Sequence, residues 1–185
     1  MAVTGKDRSL DSRDVFRVIG ALNGDIGYHL DRGYIEPADM DFDLSLIGSG
    51  GLAVWAERRG ENYKTRTKDV DMYPVSGSLE GITDLPHATM SREDGSQYNY
   101  NVTAAAGSVP DVFVDFIVDF EAAFDWDAGD ARTVAGMLEE DMEESEPVSE
   151  GRFDVYLPSL ETLKATFEFS NRDYSDRIEK IEEMF

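Results

Sequence analysis

Leu46-Ile47-Gly48-Ser49-Gly50-Gly51-Leu52-Ala53, followed by Arg66-Thr67-Lys68-Asp69-Val70-Asp71-Met72, is the stretch on which the fold turns. Just upstream, Phe42, Leu44 and Leu46 alternate with Asp43 and Ser45, the period-two pattern of a strand. That strand runs into glycines, and Leu52 to Arg59 then reads as a helix ending near Gly60. Glycines let a backbone approach an anion closely, and a helix N-terminus offers unpaired N–H groups and a positive dipole end. Such a turn suits a triphosphate, although many Gly-rich strand-to-helix turns are only turns. No Lys-Ser or Lys-Thr follows the glycines, so this is not a Walker loop. Two registers stay open for the phosphate-facing pair, Gly48-Ser49 and Gly50-Gly51, and Ala53 favours the second.

Lys68 to Val75 reads as a second strand. Side chains two apart on a strand share a face, so Asp69 and Asp71 stand side by side, opposite Val70 and Met72. Two adjacent carboxylates raise each other's pKa, and a divalent cation removes the conflict; hard oxygen ligands suit Mg²⁺. In a chain with 22 Asp, an Asp-x-Asp pair is otherwise an ordinary exposed strand face. The third element is Val112 to Phe120, apolar on both faces and so expected to be buried. A carboxylate there needs a partner or a metal. Asp115 is the leading candidate, and Asp111 and Asp119 share its face by parity. Three carboxylates on adjacent strands can hold two Mg²⁺ about 3.5–4 Å apart, as in two-metal phosphoryl transfer.

Outward from this centre the pattern is coarser. Asp11 or Ser12 caps a helix carrying Val15, Val18, Ile19 and Leu22, which Asn23-Gly24 should end, and a second short helix holds Ile26 and Leu30 up to Gly33. Residues 76–110 read as turns with a hairpin around Tyr98–Val102. Residues 127–136 read as a short helix, and Glu139 to Glu146 as a solvated loop or helix end. Phe153 to Leu157 is a short strand. Pro158-Ser159 opens a helix with Leu160, Leu163 and Phe167, and Asp173 caps a last one with Tyr174, Ile178, Ile181 and Phe185 on one face. His87 reads as a surface loop residue and Trp126 as packing rather than a base-stacking platform.

Composition narrows the function classes. The chain has 185 residues, 41% hydrophobic, which suits a globular domain with a sizeable core. It has no Cys and two His, which excludes disulfides and thiolate chemistry and argues against a zinc hydrolase or a His-based triad. No apolar run is long enough to span a bilayer and no cleavable signal pattern opens the sequence, so the expected place is the cytoplasm, with no membrane partner. The net charge is -22, spread along the chain, with 12 Arg and only 5 Lys. No basic face is visible for nonspecific duplex DNA. Distributed acidity with scarce Lys resembles the proteins of halophilic archaea and their viruses, so a high-salt cytoplasm or a virion is the expected setting. At molar salt the Debye length is about 3 Å, which screens self-repulsion. The melting temperature should therefore climb as KCl goes from low to molar. A flat or falling trend across that range removes the halophilic reading.

The Gly-rich turn and the Arg66-Thr67-Lys68-Asp69-Val70-Asp71 run together resemble the nucleotidyltransferase superfamily of polymerase-beta-like fold, and most nearly its small AbiEii-like, toxin-type members. The pattern there is strand, Gly-Gly or Gly-Ser, helix, then Thr-x-Asp-hydrophobic-Asp with an Arg just upstream. Val155 to Lys164 is similar to the short strand and following helix whose Lys points to the nucleotide, and Arg172-Asp173 with Asp176 is similar to the pair before the final helix. The resemblance implies an α+β fold: a nucleotidyltransferase-type mixed β-sheet flanked by helices, with a C-terminal helical extension. It divides the chain into an N-terminal helical segment (1–41), a core (42–157) and C-terminal helices packing on that core (158–185). It implies transfer of an NMP from an NTP to a hydroxyl on RNA, protein or a small molecule. Asp69, Asp71 and Asp115 would hold Mg²⁺ or Mn²⁺, and Asp115 would also act as base. Ser49, Gly50, Gly51, Thr67, Lys68 and Lys164 would hold the nucleotide. An antitoxin partner is implied by the toxin-type likeness. The alternative is a catalytically inactive protein that keeps the fold as a binding or structural module. The segment 76–110 departs from the pattern, lacking the clear helix usual between the second and third strands.

Overall fold

Helix α1 (Ser12–Asp31) starts where it does because Asp11 and Asp14 form a reciprocal capping box and the apolar positions repeat at helical spacing. The computed structural model describes residues 9–65, 69–85, 88–90, 92–102 and 112–185. Asn23-Gly24 does not end α1, contrary to the expected break. Val15, Val18, Ile19, Leu22 and Ile26 are all buried on one continuous face. That burial outweighs the roughly 1 kcal/mol cost of an interior Gly. The Asn23 side chain is also committed elsewhere, its Oδ1 accepting from the Arg152 backbone N–H at 3.1 Å.

A 3-10 turn (Pro37–Met40) leads into β1 (Phe42–Leu46) and then α2 (Gly48–Arg58). The remaining elements are β2 (Asp69–Gly77), one-turn α3 (Glu80–Thr83), β3 (Ala88–Met90), β4 (Gln97–Asn101) and β5 (Phe113–Ile117). After these come α4 (Phe120–Phe124), α5 (Ala128–Glu144), β6 (Val155–Tyr156), α6 (Leu160–Glu168) and α7 (Ser175–Met184). The fold is α+β: a six-stranded mixed sheet ordered β3-β4-β5-β2-β1-β6, flanked by helices. Strand β2 is antiparallel to β1 and parallel to β5; β4 is antiparallel to β5. Among the described residues no helix is long and apolar enough to cross a membrane.

Strand alternation sorts the side chains into two layers. Leu44, Leu46, Val70, Met72, Val114, Phe116 and Tyr100 join the α1 face in the main core. The opposite face carries Ile47, Val75 and Ile117 against Phe120, Trp126, Val134 and Leu138. The C-terminal helices pack through Leu160, Leu163, Phe167, Ile181 and Met184 onto Leu52 and Ala56 of α2. Phe185, expected on that packed face, is instead 71% exposed at the chain end. The predicted short helix over 127–136 runs on to Glu144, so most of the charge run is its solvated last turns. Asp127 starts that helix by accepting from the Gly129 N–H at 2.7 Å.

Candidate functional site

Helix α2 begins at Gly48, four residues before the expected Leu52, and this sets which glycines reach the cleft. Gly48 has φ +64, and a Cβ there would lie 2.7 Å from the Asp71 Oδ2. Only glycine meets both conditions. Gly50 and Gly51 serve packing instead. A Cβ on Gly51 would meet the Leu46 carbonyl oxygen at 2.7 Å and the Leu163 side chain at 3.3 Å, so its bareness lets α2 lie directly on β1 and α6. Both are buried in the helix and neither lines the cleft described below. Of the two registers, Gly48-Ser49 is the pair that lines the cleft, and Gly50-Gly51 does not.

Parallel pairing of β2 with β5 puts Asp71 opposite Asp115 and Asp69 opposite Phe113. Asp69, Asp71 and Asp115 therefore project from one face of the sheet, and all three line a single cleft of about 550 Å³. Burial, then the neighbouring Asp115 and Asp69, push the Asp71 carboxyl up to about 8, against the pull of Arg172 and Arg177. Burial also raises Asp115, with Asp69 adding to it, while side-chain hydrogen bonds from Asn99 and Gln97 oppose the rise. The Asn99 Nδ2 donates to Asp115 Oδ1 at 2.6 Å across the β4–β5 pair. Asp119, the alternative third carboxylate, instead caps α4, accepting from the N–H groups of Glu121 (3.0 Å) and Ala122 (3.4 Å). Asp111, Thr67, Lys68 and His87 lie outside the described residues.

The far wall of the cleft comes from the C-terminal part of the chain. Arg172, Tyr174 and Arg177 line it, with Thr166, Phe167, Ser170 and Asn171. Arg177 is 8% exposed; its Nε donates to Ser49 Oγ at 3.0 Å, and its guanidinium lies 4.6 Å from the Tyr174 ring centre. Lys164 is not in the cleft. Its ammonium sits between Glu182 (2.8 Å) and Glu168 (3.3 Å) on the outside of α6. Lys164, expected to face a nucleotide, does not line the cleft, whereas Arg172 and Arg177 do. Trp126 also lines the cleft, yet it is 6% exposed and stacked on Phe120 at 4.9 Å, which in turn stacks on Tyr73 at 4.6 Å. It is packing, as expected.

The chain as a whole carries more than two acids per base, but the cleft sets four carboxylates against three guanidiniums, those of Arg92, Arg172 and Arg177. The cleft is thus far nearer to charge balance than the chain as a whole, which makes it less hostile to an anion. Among the described residues no three Asp, Glu, His or Cys side chains form a ready-made metal cage. The donor set nevertheless fits a hard divalent cation. It is all oxygen, its central carboxyl is driven toward protonation by burial and then by its acidic neighbours, and Mg²⁺ is commonly held by one or two carboxylates with substrate phosphates completing the shell. Comparison with protein-family models, with curated proteins and with solved structures finds no match.

Proposed function

We propose that the protein is a metal-dependent nucleotidyltransferase that moves an NMP from an NTP to a hydroxyl acceptor. The observation that carries this reading is the meeting of Asp69, Asp71 and Asp115 with Ser49, Arg172 and Arg177 in one cleft. The carboxylates supply a cation site and the arginines face it with positive charge, which is the polarity a triphosphate needs. Asp69, Asp71 and Asp115 would hold Mg²⁺ or Mn²⁺, which when bound screens phosphate charge and polarises the phosphoryl oxygens. Arg172 and Arg177 orient the phosphate chain, and the bare Gly48 leaves room for it beside Asp71. The acceptor oxygen bonds to the α-phosphorus as the bond to pyrophosphate breaks, and the hydroxyl proton passes to a carboxylate oxygen of Asp115.

Thermal shift with each of the four NTPs, with and without Mg²⁺ in molar KCl, tests this directly. A ligand at a hundred times its Kd stabilises the folded state by about 2.7 kcal/mol. For a chain of this size that is roughly 5–10 °C. The expected result is such a rise with at least one NTP, and only when Mg²⁺ is present. No shift with any of the four, with or without metal, leaves the non-catalytic module as the surviving reading.

A further inference from the structure

A row of polar groups crosses the sheet at one level. Asn99 on β4 pairs with Asp115 on β5, and Asp115 pairs with Asp71 on β2. Gln97, two residues before Asn99, projects from the same face and also lines the cleft. On the opposite face of β4 lie Tyr98 and the fully buried Tyr100, so the amides are the strand's whole contribution to the cleft side at this level. Asp115 is thus flanked by unlike neighbours: amide donors on the β4 side, a carboxylate on the β2 side. Asn99 holds Oδ1 at 2.6 Å. A carboxylate with an N–H donor occupying its β4 flank presents its remaining lone pairs toward β2, where Asp71 stands.

We propose that Asn99, seconded by Gln97, is the positioning residue of this site: it turns the Asp115 carboxylate so that a divalent cation is seated between β5 and β2 and not toward β4. The inference rests on the metal-dependent reading given above and adds what decides where the cation sits. An amide is suited to the task because it donates to the carboxylate without bringing charge. An Arg or Lys there would neutralise Asp115 and weaken it as a ligand, and another acid would spread the anionic site over three strands.

Two variants separate positioning from mere support of the fold. Asn99→Leu keeps the volume and removes the donor. The double exchange Asn99→Asp with Asp115→Asn keeps one amide, one carboxylate and the bond between them. It moves the charge one strand, about 4.8 Å, away from Asp71. The readout is Mn²⁺ binding by electron paramagnetic resonance, with Mn²⁺ alone and with an equimolar mixture of four α,β-methylene NTPs, in molar KCl and beside a melting curve. Asn99→Leu should bind Mn²⁺ about tenfold more weakly, the scale of one charge-assisted hydrogen bond. The exchanged pair should melt like the wild type yet lose at least as much Mn²⁺ affinity. An exchanged pair that binds Mn²⁺ like the wild type shows that the carboxylate need not stand on β5 beside Asp71 and overturns the proposal, as does Asn99→Leu within twofold of wild type. Wild-type protein that takes up no Mn²⁺ under any of these conditions overturns the metal-dependent reading itself, and the positioning role with it.

Discussion

Asp71→Asn should cost at least about 10³-fold in nucleotide transfer and, at pH 8, make the protein more stable. Both effects come from one carboxyl group. In the folded chain it is pushed up to about 8 from an ordinary value of 3.8, first by burial and then by Asp115 and Asp69. Between those two values the unfolded chain has released the proton and the folded chain has not. Stability is therefore intact below pH 4 and drains away as pH rises toward 8, by an amount on the order of 5 kcal/mol. Asn has no proton to lose and keeps the shape, so its stability should fall much less than that of the wild type over that range. The melting temperatures of the two proteins should agree near pH 4.5 and diverge by roughly 10 °C at pH 8. Mg²⁺ with NTP should close the gap from the wild-type side, because binding needs the ionised carboxylate and repays its cost. The transfer loss follows because Asn offers a neutral ligand where charge is needed in the transition state. Asp115→Ala should lose transfer on a similar scale while keeping most NTP binding. The assay is label transfer from α-labelled NTP to total cellular RNA and protein in high salt. Parallel pH curves for wild type and Asp71→Asn would show that Asp71 carries no such burden and that its place in the site is misread.

That trade also shows which parts of the molecule its sequence makes legible. Strands β1 and β2 are written in local alternation and β5 in a run apolar on both faces, and Asp69 and Asp71 share a face by strand geometry alone. The pairing of Asp71 with Asp115 is not local. It depends on the register of two parallel strands joined through a long connection, which no periodicity records. Gly48 illustrates the same limit at short range. Four residues, Gly48-Ser49-Gly50-Gly51, look alike as a flexible turn until α2 is seated, when one proves to need a positive φ and another to need bareness against Leu46. A signal for the amides was present: Gln97 and Asn99 alternate with Tyr98 and Tyr100, a polar face on a strand that pairs with the third acidic one. Arg177 carried no local mark. It follows Asp176 at the start of an amphipathic helix, where a basic residue ordinarily faces solvent, and only the docking of α7 on α2 buries it. Asn23-Gly24 was misleading for the opposite reason, since local breaker chemistry there is overridden by a buried helix face.

Arg177→Met should weaken NTP binding about a hundredfold, whereas Lys164→Ala should leave it within about twofold. Lys164 is held by Glu182 and Glu168 and stands outside the cleft, so its charge is already spent on the protein. Arg177 is in the opposite position. It is buried, yet its one hydrogen bond among the described residues goes to Ser49, and Asp176 is no closer than 3.7 Å. A guanidinium has five N–H donors, and a buried cation so lightly paired is costly unless an anion completes it. Met fills a similar length without charge and keeps the contacts with Phe167 and Tyr174, so the fold should survive and the loss should fall on the ligand. Arg177→Lys should recover little, since a single ammonium can neither hold Ser49 through an Nε nor stack flat beside Tyr174 while reaching a phosphate. Titration of the stabilising NTP with Mg²⁺ against all three variants gives the ranking. Wild-type affinity in Arg177→Met beside a large loss in Lys164→Ala would return the phosphate-facing role to α6. The expected order places it on the Ser49–Arg177 contact, where the start of α2 meets the last helix.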